Sequence, residues 1–186
     1  GRLLPTIRSR CRTLPLSPLG HGDLQRAVAA ALQAAGKPPI PDADFAALEA
    51  LSGGSVRRLL ALQEGGGLVL QAKIDKVLAS LPTGDLKAAH MLSDELAPAA
   101  AEQKFTLFYE LFLGTLQRLI KAEATGLASE ADLGRARRLI GPQRLATFAG
   151  LWETLARDKA DVLALNLDRK ALIMSALAKL ETASRS

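Results

Sequence analysis

Arg2, Arg8, Arg10 and Arg12 fall within the first dozen residues with no acidic residue among them. A guanidinium is planar and permanently charged, and it grips two phosphate oxygens through two N–H groups at once, whereas an ammonium keeps the charge and loses the fork. Arginines crowded at one end of a chain therefore concentrate positive potential there and suit an anionic partner. A second basic site is built differently. Gly53-Gly54-Ser55-Val56-Arg57-Arg58 places a turn, a cap and two arginines at the start of a helix, where free amides and the helix dipole both favour anions. Taken alone, such a capped basic helix is common and its arginines are mostly solvated.

The other chemistry-bearing residues are sparse. Cys11 is the single cysteine, so neither an internal disulfide nor a cysteine-rich zinc site can be built from this chain. It follows Arg10 and precedes Arg12, a setting that favours thiolate, but no base accompanies it and it reads as structural. Of the two histidines, only His90 has a carboxylate at helical spacing, Asp94. Two ligands do not make a metal centre, and none is expected. Gly65-Gly66-Gly67 lacks the preceding strand and following lysine of a phosphate cradle and reads as a hinge. Arg135, Arg137 and Arg138 form a dense basic cluster that suits DNA phosphate or an acidic protein patch, with a solvated helix face as the preferred reading. Trp152 shares a stripe with Leu145 and Phe148, which makes it core rather than a stacking platform for bases. No Gly-x-x-x-x-Gly-Lys-Ser/Thr loop occurs, so no bound ATP is expected in this chain itself.

The elements that must position these residues are helical. Apolar residues make up 48% of the 186 and aromatics only 4%, a balance that leaves Leu, Ala and Val to build the core of an all-α protein. The net charge of +5 permits contact with nucleic acid without requiring it. No apolar run approaches the ~20 residues that span a bilayer, and the first residues lack the plan of a secretory signal, so a cytoplasmic protein with no membrane partner is expected. Residues 1–20 read as a connection running into an extended segment around Pro15 and Pro18, and the abrupt start looks truncated. Helical periodicity begins at Asp23 and stops at Gly36. Further helices are expected from Asp42 acting as a cap, from Ser55, across 68–81, across 86–96, around 105–120, from Ser129 to Gly141, across 143–164 and from Asp168 to about Glu181. Pro82-Thr83-Gly84 is the expected domain boundary. The 105–120 stretch is apolar on most of its circumference, which places it at the centre of a bundle.

Three segments carry a resemblance. Leu3-Leu-Pro-Thr-Ile-Arg-Ser9-Arg10-Cys11 resembles the Ser-Arg-Cys signature, with its Leu-Pro-Thr-Ile lead-in, of the clamp-loader AAA+ subunits of bacterial DNA polymerase III. Gly54-Ser55-x-Arg57 is similar to the sensor 2 segment of that family. Leu165-Asn166-Leu167-Asp168 and the residues to Ile173 resemble the turn and last helix of its delta prime type. The resemblance implies a remnant of an AAA+ core over 1–20, a small helical lid over 21–81 and a helical collar for oligomerisation over 82–186. It makes Arg10 an arginine finger acting in trans on ATP held by a neighbouring subunit, flanked by Ser9 and Cys11. Arg57 becomes the sensor 2 arginine, relevant only if this subunit holds a nucleotide. The implied partners are gamma/tau and delta type subunits in a hetero-oligomeric ring, with the sliding clamp and primed DNA met through the complex. Alternatives are an ATP-binding gamma/tau type subunit, a free-standing helical module that binds nucleic acid, and an unrelated helical scaffold.

Overall fold

The computed structural model describes residues 10–11 and 16–185. It is all-helical: among these residues there is no strand. Nine α-helices of the described residues run α1 His21–Ala34, α2 Asp42–Ser52, α3 Val56–Glu64, α4 Gly67–Ser80, α5 Leu86–Leu96, α6 Glu102–Thr125, α7 Glu130–Leu139, α8 Gly141–Leu165 and α9 Arg169–Arg185, with a 3-10 turn at Ala99–Ala101. The chain divides into two compact units, Gly1–Leu60 and Ala61–Ser186. The division falls inside α3, and Pro82-Thr83-Gly84 is an inter-helix turn of the second unit.

In the first unit the apolar spacing does what a helix requires. Leu24, Val28 and Leu32 recur every four residues and are the buried face of α1, while Phe45 and Leu48 are buried on α2 and Leu59 on α3. Helix α1 stops at a left-handed Gly36, where Lys37 N donates to Leu32 O and Gly36 N to Gln33 O. This crossed pair closes the last turn in the manner glycine allows. Asp42 differs from its expected role. Pro41 occupies the cap position of α2 and no side chain caps it, so Asp42 and Asp44 act only as negative charge in the first turn, where they complement the helix dipole.

In the second unit α6 is the central helix. Phe105, Phe108, Tyr109 and Phe112 are buried along it, and their rings meet at centroid distances of 5.1–6.0 Å. Each such side chain contributes about 1.5–3 kcal/mol by leaving water. α4, α7 and α8 pack on α6, and α9 packs on α5 and α8. Ser129 caps α7 as expected, accepting the Asp132 amide at 3.2 Å. Asp132 does not bond back to Ser129 but pairs with Arg118 on α6 at 2.9 Å, tying two helices together. Gly141 has a φ of +59, and Pro142 follows in the first turn of α8, where its missing N–H costs nothing.

Candidate functional site

The turn between α2 and α3 is assembled from its own side chains. Buried Ser52 donates to Glu49 O at 2.9 Å and accepts the Gly54 amide at 3.3 Å. Ser55 accepts the Arg58 amide at 3.4 Å, a long capping bond. Gly53 and Gly54 both take positive φ, +60 and +75, a backbone that only glycine adopts without strain. Arg57 and Arg58 then stand exposed in the first turn of α3.

The segment at 16–20 lies against this turn. Leu19 N donates to Gly54 O at 3.1 Å, and a Cβ on Gly54 would fall 2.7 Å from the Cβ of Pro18. His21, at the start of α1, reaches across to Glu49 on α2 at 2.6 Å and meets the edge of Phe45. The motif glycine at 54 and the stretch downstream of Arg10 are thus in contact. Arg10 itself sits in a turn and Cys11 in a bend, both exposed, while Ser9 and the residues before it lie outside the described ones. Arg10, Arg57 and Arg58 have no side-chain ion-pair partner among the described residues, so their guanidinium donors are open to an external anion.

No family model, curated protein or solved structure matches the chain. What the chain can do is therefore read from its own groups. Open guanidiniums can hold and neutralise phosphate. Among the described residues, no three His, Cys, Asp or Glu side chains gather as a metal site would need, and no helix is long and apolar enough to cross a membrane.

Several sequence candidates have internal duties. Arg135 pairs with Asp75 at 3.0 Å, and Arg138 donates to the carbonyls of Ala79 and Leu78 at 3.0 and 3.3 Å. The basic cluster therefore closes the C-terminal end of α4, where free carbonyls and the helix dipole attract a cation; Arg137 alone remains exposed without a partner among the described residues. Asp94 pairs with Lys170, not with His90. Trp152 is half-buried and donates Nε1–H to Leu113 O at 2.9 Å. Gly65 and Gly67 are sites of close packing, against Leu107 and Leu62. Asn166 takes the left-handed conformation that ends α8, and Asp168 caps α9 by accepting the amides of Lys170 and Ala171.

Two electrostatic features had no sequence signal. Glu95 on α5 lies between Lys104 and Lys73, whose hydrogen bonds hold its carboxyl below the usual range. Tyr109 is fully buried with its hydroxyl donating to Leu172 O at 3.4 Å; burial, and then the charge of Asp158, push the phenol well above its ordinary value. Both depend on partners on other helices.

Proposed function

We propose that this chain belongs to a clamp-loader subunit of a bacterial DNA polymerase III, of the delta prime type, and acts by assembly rather than by catalysis of its own. The observation that carries the reading is Arg10. It stands between Ser9 and Cys11, after Leu-Pro-Thr-Ile, in an exposed turn with no ion-pair partner among the described residues. That is what a guanidinium needs in order to serve a phosphate on another subunit. Support comes from the left-handed Gly54, the Ser55 cap and the exposed Arg57 that follow the sensor 2 pattern, and from the all-helical character of the described residues. In this reading the first residues are the remnant of an AAA+ core, the helices after them a lid, and the last helices a collar that packs into a ring with gamma/tau and delta type subunits. The ring uses ATP to open a sliding clamp and place it on primed DNA.

The test is reconstitution of the ring with Arg10→Ala. Assembly by size-exclusion chromatography should be unchanged, while DNA-stimulated ATP turnover falls. Arginine fingers are worth ~10³-fold or more at the site they serve, and a ring with several ATP sites dilutes that figure. Turnover equal to the parent's in a fully assembled ring removes the proposal. The engaged state of Arg135 and Arg138 argues against the alternative of a free-standing nucleic-acid module centred on that cluster.

A further inference from the structure

Helix α5 carries a methionine that its core does not use. Ala89, Leu92 and Leu96 are the buried stripe of this helix, whereas Met91 lies off that stripe and stands 64% exposed. It lines a cleft of about 190 Å³ between α4 and α5, together with Lys73, Lys76, Val77, Leu92 and Glu95. The other methionine of the chain, Met174 on α9, is half-buried and lines another cleft. The chain thus offers two thioethers in different settings, one open to solvent and one partly covered.

An accessible thioether is a nucleophile toward peroxide. Its sulfur attacks one peroxide oxygen, an S–O bond forms and the O–O bond breaks. The proton of the transferred oxygen goes to the departing hydroxide, which leaves as water, so sulfur is oxidised by two electrons and the peroxide is reduced by two. The product is a polar, chiral sulfoxide, whose oxygen accepts hydrogen bonds far better than the thioether did. The cleft already holds a donor for it. Both oxygens of Glu95 are taken, one by Lys73 and the other by Lys104. Lys76 lines the same cleft, is exposed and has no partner among the described residues.

We propose that Met91 is a site of reversible oxidation by peroxide, and that its sulfoxide is held across the cleft by the ammonium group of Lys76. The modified side chain stays at the surface, so no core group becomes polar and the fold survives the change. What changes is the mouth of the cleft: its apolar lip turns polar, and its open ammonium is engaged. The inference is independent of the clamp-loader reading, since it uses neither Arg10 nor Arg57.

Met174 gives the test an internal reference. Cys11 is also exposed and competes for peroxide, so it is first blocked with N-ethylmaleimide. The full chain is then treated with hydrogen peroxide and digested, and each methionine is followed by mass spectrometry. Met91 should gain one oxygen at least about fivefold faster than Met174, with the circular dichroism and melting curve unchanged at that stage. A methionine sulfoxide reductase should return it to the thioether. Amine acetylation, read at each lysine before and after oxidation, should fall severalfold at Lys76 and stay level at Lys121, an exposed lysine of α6. Met91→Leu, which peroxide leaves intact, should abolish the fall at Lys76. The proposal is overturned by any of five results: Met174 reacting as fast as Met91, unfolding when only Met91 is oxidised, a sulfoxide that the reductase leaves in place, Lys76 labelling that is unchanged or falls equally in Met91→Leu, or protection of Lys87, one helical turn before Met91 on α5, in place of Lys76.

Discussion

The Leu19 amide donates a hydrogen bond to the Gly54 carbonyl at 3.1 Å, so the segment at 16–20 is fastened to the turn from which Arg57 emerges. Gly54 holds a φ of +75, and a Cβ there would fall 2.7 Å from Pro18 Cβ and 2.9 Å from Leu19 N. Gly54→Ala is expected to cost about 1–3 kcal/mol, from backbone strain and the displaced segment together. Urea denaturation measures the loss, and amide exchange should show Leu19 losing protection. A variant that keeps both the midpoint and the Leu19 protection would show that this contact does not hold the segment.

Glu95 joins α5 to α4 and α6 through Lys73 and Lys104. Its folded-state pKa is lowered from 4.5, so its stabilisation is present above the unfolded value and lost as pH falls through the lower, folded one. Glu95→Gln is expected to cost about 0.5–1 kcal/mol at neutral pH, discounted for partial solvent exposure of all three groups. The gap between parent and variant should close on acidification and shrink in high salt, as equilibrium unfolding at several pH values will report.

Tyr109 is the single tyrosine of the chain, so absorbance at the phenolate band reports on it alone. Burial and the neighbouring Asp158 raise its pKa, and the folded protein should develop no phenolate signal near pH 10, the usual tyrosine value. The signal should appear together with loss of helical circular dichroism at higher pH. Titration near pH 10 with the fold intact would contradict the buried placement.

Arg138 and Arg137 are neighbours with different duties. Arg138 donates to two terminal carbonyls of α4, while Arg137 has no partner among the described residues. Arg138→Ala should lower stability by about 1 kcal/mol through lost hydrogen bonds and dipole compensation. Arg137→Ala should leave the melting temperature where it was.

Most helix starts and stops were legible because they are set within one turn of chain. Gly36 stops α1, Ser129 caps α7, Asp168 caps α9, and the apolar spacing at Leu24, Val28 and Leu32 marks a buried stripe. Asp42 misled because capping requires the oxygen-bearing residue at the cap position itself, and Pro41 stands there. The candidate arginines at 10 and 57 were legible only as types and spacing; that both stand exposed is a property of the folded chain.

Sequence alone determined an all-helical chain whose elements begin and end close to where their local signals stand, with a basic N-terminal stretch rich in arginine. Tertiary structure decided which charges are spent and which are free: Arg138 closes a helix 59 residues away and Arg135 meets Asp75, 60 residues away, while Lys76 and Lys87 are left open beside Met91. The reason is one of range. Periodicity and capping act over three or four residues, whereas ion pairing depends on which helices pack together, and packing places residues side by side whatever their distance along the chain.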